Sequence, residues 1–243
     1  LVAEMDLLKL PWNADQSGPK GSIAQKMFGA VADSEVFVTP MAAVAGAVAD
    51  EMLETMLVEA KKPDSCIDHL RKIYVNNGGD IAFWLNEGES FSIGVVDNPQ
   101  IPELNAKVSL AHESQVRGIA TSGWRGRSLS LGIADAVTVL AKSAAVADVA
   151  ATLIANEVIV DFPGIEKRPA SEVKDDSDLG MIPVTVVVPD LAEDKIYIAL
   201  EQGAKSARKF IKDGKITAAY LSLQKQTLVI ENDDKIERAI INN

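Results

Sequence analysis

The stretch 117-RGIATSGWRGRSLSLGIADAVTVLAKSAAVADVAATLIANEV-158 contains three kinds of sequence that together decide the fold. A cluster of Ser, Thr, Gly and Arg comes first and is typical of a loop. The apolar run 135-DAVTVLA-141 then indicates a buried strand. Segment 143-SAAVADVAATLIANEV-158 has the composition of a helix, and Ser143 is a suitable N-cap. We expect a loop, a strand and a helix in that order.

Three polar residues of this helix, Asp148, Thr152 and Asn156, are spaced so that they share one face. Most of the other residues are apolar, which predicts a largely buried helix. An ionised carboxylate in such surroundings is costly unless it is paired or bound to a metal. Asp148 and Thr152 would offer two oxygen ligands to Mg²⁺ or Ca²⁺. The alternatives are a solvent-facing stripe, or an Asp favoured by the dipole of the first helical turn.

Outward from this stretch, strands and helices interleave without the regular alternation of a parallel sheet, which predicts an α+β fold. The expected helices are 41–60 and a segment that begins at Asp190, runs to about Lys212 and is ended by Gly214. We interpret 1–10 as an edge strand and 166–178 as a charged loop. Further strands are expected within 73–85, 88–97, 107–121, 183–189, 216–223 and 227–232.

A faint internal repeat connects the two Ala-rich helices. Segment 42-AAVAGAVAD-50 aligns with 144-AAVADVAAT-152, which places Asp50 opposite Thr152. Such helices match by chance easily, so the alignment only hints at a duplication.

Composition limits the classes of function. The 243 residues include 47% hydrophobic residues and carry a net charge of −11, so we expect a soluble globular protein without a nucleic-acid partner. No apolar run approaches the roughly 18 residues that span a membrane. Cys66, the only cysteine, and the histidines His69 and His112 are expected to be structural, and a cytoplasmic location is expected. The chain opens on Leu1 rather than Met, so its N-terminus may be incomplete.

Two further clusters carry possible chemistry. In 76-NNGGD-80 the two glycines permit positive φ and close backbone approach, either in a plain hairpin turn or beside a ligand that Asp80 orients. In 121-TSGWRGR-127 the hydroxyls, backbone N–H groups and two arginines suit a phosphate or carboxylate. The alternative for this second cluster is a polar turn with solvated arginines. The Gly-Lys-Ser/Thr ending of a Walker-A loop is absent.

Taken together and in order, these segments resemble the ApbE-like superfamily, which includes the FAD:protein FMN transferases and proteins labelled thiamine-biosynthesis ApbE-like. IYVNNGGDIAFWL resembles the VNxGGDI strand–turn–strand of that superfamily, and GIATSG resembles its ATSG segment. AVTVLAKSAAVADVAATLIANEV resembles the SVTV strand with the ADxxAT helix. The resemblance covers roughly residues 36–160 and is closest to a branch that lacks the transferase histidine segment.

The resemblance implies one domain of duplicated T-fold-like halves, about 36–120 and 121–243, with mixed or antiparallel sheets and packed Ala-rich helices. It also implies Mg²⁺ at Asp148 and Thr152, and a pocket for FAD, FMN or another nucleotide. The residues expected to bind the ligand are Asn77, Gly78, Gly79, Asp80, Thr121, Ser122, Gly123, Arg125, Arg127 and Asp50.

Two departures from the transferase pattern bear on the reaction. The transferases carry an HxxDPxTG segment before the SVTV strand, whereas here 124-WRGRSLSLGIAD-135 contains no His. Their flavin-contacting KGYAxD segment is replaced by 45-AGAVAD-50, in which only Gly46 and Asp50 persist. Standard flavinylation is therefore not expected.

Two functions remain open at this point. One is an enzyme that uses metal-assisted transfer or hydrolysis of a phosphate-bearing ligand. The other is a non-catalytic binding protein that retains the fold and a pocket. A homo-oligomer packed through the Ala-rich helices is a further possibility.

Overall fold

The computed structural model describes residues 1–62, 70–98, 100–101, 103–231 and 240–242. Cys66 and His69 lie outside these residues, so the expectations for them stay predictions. Short 3₁₀ turns cover Val2–Glu4 and Pro40–Ala43. The helices are α1 (Met5–Leu8), α2 (Ser22–Val31), α3 (Val44–Ala60), α4 (Ala144–Glu157), α5 (Ala170–Val173) and α6 (Glu193–Lys212).

The strands belong to three antiparallel sheets. A six-stranded sheet has the order β1-β2-β5-β6-β9-β10, a three-stranded sheet the order β11-β4-β3, and β7 pairs with β8. The strands are β1 (Lys72–Asn77), β2 (Asp80–Leu85), β3 (Ser90–Val95), β4 (Ala106–Ala111), β5 (Gly118–Ser122), β6 (Ala136–Ala141), β7 (Glu166–Pro169), β8 (Pro183–Val187), β9 (Ala218–Leu223), β10 (Gln226–Glu231) and β11 (Ile240–Asn242). The α+β class predicted from the sequence is confirmed.

The six-stranded sheet is covered on both faces. In β9, Leu221 packs with the side chains of α4 and α6, whereas the neighbouring Tyr220 packs in a cluster with Val108 and Leu110 of the three-stranded sheet. Successive residues of a strand point to opposite faces, so one face meets helices and the other meets the small sheet. Every residue of β6 and β9 is therefore buried, which explains their nearly continuous apolar runs.

Three local expectations were wrong. Residues 1–10 form a 3₁₀ turn and α1 rather than an edge strand, because Leu8 packs fully buried in a cluster with α2. Short apolar runs do not distinguish the two structures. The segment 166–178 is not all loop, since β7 pairs with β8 and α5 follows. Helix α6 has Ala192 rather than Asp190 as its N-cap; the N–H of the buried Leu191 donates to Gln224 Oε1 at 2.9 Å.

Candidate functional site

Helices α3 and α4 cap each other where they meet. Asp50 of α3 accepts hydrogen bonds from the N–H groups of Ala144 and Ala145, at 3.0 and 2.9 Å. Asp148 of α4 accepts one from the N–H of Gly46, at 3.0 Å. Each carboxylate therefore satisfies backbone donors in the first turn of the other helix.

These two caps show which residues of the two Ala-rich segments occupy equivalent positions. Asp50 and Asp148 are 98 residues apart, and so are Gly46 and Ala144. The geometry therefore matches 46-GAVAD-50 with 144-AAVAD-148, and pairs Asp50 with Asp148 rather than with Thr152. The earlier alignment was wrong because a repeated Ala pattern fits equally well after a shift of one helical turn.

The polar face of α4 lines a small pocket of about 230 Å³. Asp148, Thr152 and Asn156 are partly buried, whereas most of the helix is fully buried. The spacing in the sequence correctly placed all three on one face. They open into a pocket that Asp80, Lys174 and Asp178 also line, rather than lying as a stripe along the outer surface. Asn156 accepts hydrogen bonds from the Leu131 N–H and Ser130 Oγ, at 2.9 and 3.4 Å.

Two carboxylates in the wall of this pocket carry raised pKa values. Burial raises the pKa of Asp80 to about 6, while the Thr121 N–H and Arg127 act in the opposite direction. Burial, and then the charge of Asp80, raises the pKa of Asp148 well above its usual range. The N–H groups of Gly46 and Ala45 lower it in part. These shifts favour the neutral forms of both carboxyl groups, and a cation bound beside them would favour the ionised forms.

The oxygen donors of this wall are of the kind that binds Mg²⁺ in proteins. Among the residues that the structure describes, no three His, Cys, Asp or Glu side chains come together as a metal-binding group. Asp148, Thr152 and Asp80 would supply two carboxylates and a hydroxyl, and Mg²⁺ commonly keeps several waters in addition to one or two carboxylates. A cation here would also relieve the repulsion between Asp80 and Asp148.

A second, larger cleft of about 600 Å³ adjoins the pocket, and Asp80 lines both. One wall is the β1–β2 turn, where Gly78 and Gly79 have φ of 75° and 114°. Arg127 Nη2 donates to the Gly78 carbonyl at 3.4 Å. A Cβ on Gly78 would lie 1.7 Å from that nitrogen, so the guanidinium rests directly on the turn. The hairpin predicted at NNGGD is confirmed, and its glycines lie beside a cation.

The opposite wall of this cleft includes the end of β5. Thr121, Ser122 and Gly123 all line it. Thr121 Oγ1 lies 2.8 Å from Thr138 Oγ1, and Ser122 is buried. The structure therefore brings the GG turn, the TSG segment and Arg127 to one cleft, as the sequence predicted; ligand binding by these residues stays a prediction.

Three predicted site residues lie elsewhere. Arg125 Nε pairs with Asp135 Oδ1 at 2.6 Å, and its guanidinium stacks on Trp124 at 4.6 Å, so it lines a different cavity. Asp50 faces a third cavity with Lys26 and is occupied in capping α4. Asn77 Nδ2 donates to the Ala45 carbonyl at 3.1 Å and ties β1 to α3, while its neighbour Asn76 lines the cleft.

Residues 1–237 match the family model described as AbpE bacteria. The chain belongs to this family. It is 34% identical over 151 residues to the UPF0280 protein of Methanopyrus kandleri, which covers 62% of this chain and 56% of that protein.

Other relatives of this AbpE bacteria member are similar to the same degree. The UPF0280 protein of Methanobrevibacter smithii is 36% identical over 150 residues, which is 61% of this chain and 57% of that protein. The UPF0280 protein of Methanocaldococcus jannaschii is 33% identical over 128 residues, which is 52% of this chain and 48% of that protein. The chain spans about half the length of these curated relatives.

Sequence reasoning missed two polar features of this AbpE bacteria chain. Lys174, from the segment expected to be a loop, lines both the pocket and the cleft. Asp97 accepts hydrogen bonds from Tyr220 OH and Ser222 Oγ, at 3.0 and 2.6 Å. Burial raises the pKa of Asp97, these two hydroxyls lower it, and Asp135 raises it. No local motif marks either residue, because the hydroxyl partners of Asp97 and most of the residues that line the pocket with Lys174 are distant from them in the chain.

The remaining expectations concern histidine and the membrane. His112 Nδ1 lies 2.8 Å from the Leu85 carbonyl oxygen and lines neither the pocket nor the cleft, consistent with a structural role. Within the part of the chain that the structure describes, no helix has the length and apolar character needed to cross a membrane.

Proposed function

We propose that the cleft binds a phosphate-bearing ligand, a flavin nucleotide or another nucleotide, with Mg²⁺ held at Asp148 and Thr152. The observation that carries this proposal is that the Asp80 side chain lines both the carboxylate pocket and the cleft of Arg127. A cation bound on one side of Asp80 would then adjoin an anion bound on the other. We also propose that the chain has the fold of the ApbE-like superfamily, with its duplicated T-fold-like halves.

Different groups of the cleft would make different contributions to binding the ligand. Arg127 and Lys174 are the cations that line it, and both would neutralise phosphate oxygens. Gly79, with no atom within 4 Å of its would-be Cβ, leaves the turn open to close approach by the ligand beside the guanidinium of Arg127. Mg²⁺, when bound, would supply Lewis-acid stabilisation of negative charge.

Metal-assisted transfer or hydrolysis of a phosphoanhydride is the reaction that this set of groups suits best. Arg127 would stabilise charge as it develops on the phosphate, which requires no histidine. The competing proposal is a binding protein without turnover, favoured by the absence of His from the described residues that line the cleft. Release of phosphate or mononucleotide from FAD or ADP, measured by chromatography, separates the two.

A thermal-shift titration with Mg²⁺ and FAD, FMN or ADP tests binding. Ligand at about 100 times its Kd stabilises a protein by about 2.7 kcal/mol, which for a chain of this length raises Tm by roughly 5–10 °C. We expect Asp148→Asn to abolish the Mg²⁺-dependent part of the shift. The asparagine Oδ1 still accepts the Gly46 N–H, so the fold is retained.

The chain offers matched controls. Asp50 caps a helix in the same way but faces another cavity, so Asp50→Asn should leave the ligand shift unchanged. Arg127→Gln should weaken the response to phosphate, and Arg125→Gln should not. No shift with any nucleotide, or equal losses in Asp50→Asn and Asp148→Asn, would contradict the proposal.

A further inference from the structure

Asp97 is held rigidly at the junction of the two sheets. It follows β3, and its backbone N–H donates to Asn105 Oδ1 at 2.9 Å. Its Oδ2 accepts the hydrogen bonds of Tyr220 and Ser222, both on β9. Three contacts from two other segments therefore fix the orientation of this carboxylate.

The second oxygen of Asp97 is unpartnered. The residue is only 9% exposed, and its Oδ1 has no hydrogen-bond partner among the described residues. Buried acceptors are normally paired, because an unpaired one has lost its water without replacement. The neighbouring Asp135 shows the usual arrangement: it accepts from Arg125 Nε, Trp124 Nε1 and the Gln224 N–H at 2.6, 3.2 and 2.6 Å.

Asp97 and Asp135 line the cleft of Arg127 and also an adjoining cavity of about 890 Å³. The polar lining of that cavity is rich in acceptors. Among the described residues that line it, the single arginine, Arg125, is paired with Asp135. The lining also includes Asn98, Glu103, Asn105, Asp190, Gln224 and Lys225. The cleft of Arg127 therefore adjoins a region rich in acceptors, and Asp97 lines both.

We propose that Asp97 Oδ1 accepts a hydrogen bond from an N–H group of the ligand, an amino or amidine-type nitrogen. The inference rests on the proposed function, since it places the phosphate beside Arg127 and the N–H donor beside Asp97. It goes beyond that function because it selects among nucleotides by the base. A ligand with an exocyclic amino group completes the hydrogen bonds of Asp97, and an analogue without one leaves a buried acceptor unpaired.

The test compares two pairs of ligands that differ only in that amino group. ADP is compared with purine riboside 5′-diphosphate, and adenosine with purine riboside, by calorimetry at about pH 8, because the raised pKa of Asp97 favours a measurement above neutral pH. We expect the amino compound of each pair to bind at least about tenfold more tightly. Asp97→Leu, which removes both acceptor oxygens at similar volume, should remove this preference. An exposed carboxylate of the same cavity provides the control: Asp190→Leu should retain the preference.

The outcomes separate this inference from the proposed function. Equal binding of the two diphosphates, or a preference that persists in Asp97→Leu, would overturn the inference and leave the phosphate site standing. If neither diphosphate binds but adenosine is still preferred over purine riboside, the proposed function fails and the inference holds. If no compound binds, both fail. Arg127→Gln should weaken both diphosphates equally and keep their ratio. If Asp97→Leu does not fold, the wild-type ratios decide alone.

Discussion

Gly46 shows at the scale of one residue why the site has its shape. A Cβ at this position would lie 2.2 Å from the carbonyl oxygen of Ala144, so only glycine lets α3 and α4 come this close. That approach brings the Asp148 carboxylate within reach of the Gly46 N–H. The clash would be with backbone, which cannot rotate away as a side chain can.

Gly46→Ala is therefore expected to lower the free energy of unfolding by about 2–4 kcal/mol, although alanine is the better helix former. Gly29 is a matched control, since it lies in α2 with no atom within 4 Å of its would-be Cβ. Gly29→Ala should instead be neutral or stabilise by about 0.5–1 kcal/mol. Urea unfolding of both variants measures the difference. Equal changes in the free energy of unfolding for the two variants would contradict the close contact between α3 and α4.

At the scale of an element, the β9–β10 hairpin has an unusual turn. Gln224 and Lys225 have φ of 46° and 69°, a conformation usually taken by Asn-Gly. The turn is held by its surroundings: the Gln224 N–H donates to Asp135 Oδ2, and its side chain binds Leu191 and Pro189. Packing around Asp135 thus compensates for residues that do not favour the turn.

Lys225→Gly should relieve this strain. The side chain of Lys225 is exposed, so its loss removes little packing, and glycine adopts positive φ without a steric cost. We expect a gain of about 1 kcal/mol in the free energy of unfolding. Thermal unfolding would show it as a Tm higher by roughly 2–4 °C. As a control, Lys212→Gly at the end of α6, where the backbone is helical, should not stabilise; an unchanged or lower Tm for Lys225→Gly would contradict the prediction.

Elements with strong local signals were predictable from the sequence. Ser143 caps α4 as its position predicted, accepting from the Val146 N–H at 3.3 Å, and the glycines of the β1–β2 turn announced a hairpin. Strand β7 was missed because its stability comes from pairing with β8, which no local pattern reveals.

Local sequence signals predicted only part of the candidate site. Helical spacing placed Asp148 and Thr152 on one face. The placement of Arg125 and the environment of Asp97 depend on Asp135, Tyr220 and Ser222, whose proximity follows from tertiary packing. The sequence identifies which side chains can bind a ligand, whereas the fold determines which of them already have a partner within the protein.

The whole molecule carries a negative net charge, and the cleft contains charges of both signs: Arg127 and Lys174 line it together with Asp80, Asp97 and Asp135. The net charge of −11 repels an anionic ligand at long range, so phosphate binding would depend on Arg127 and Lys174 at short range.

The two proposed halves of the chain are connected by strand pairing. Strand β5 pairs with β6 from Gly118–Ala141 to Ser122–Val137, which joins the two proposed halves within one sheet.

This continuity predicts a single cooperative unfolding transition. The packing of Phe83 against Leu140 and Tyr220 unites residues of both halves in one core, and the reciprocal caps of Asp50 and Asp148 join α3 to α4. Neither half keeps its buried surface without the other, so the halves should not separate in urea.

The three tryptophans report on different regions: Trp12 packs with the N-terminal helices, Trp84 lies in β2 and Trp124 lies beside Asp135. Variants that keep one tryptophan and replace the others with phenylalanine should each give a fluorescence midpoint that coincides with the midpoint measured by circular dichroism of the same variant. If the fluorescence midpoint differed from the circular-dichroism midpoint in the Trp84 variant or in the Trp124 variant, the halves would unfold separately. Since β5 and β6 lie at the centre of the sheet, we expect their pairing to break only when both cores are lost.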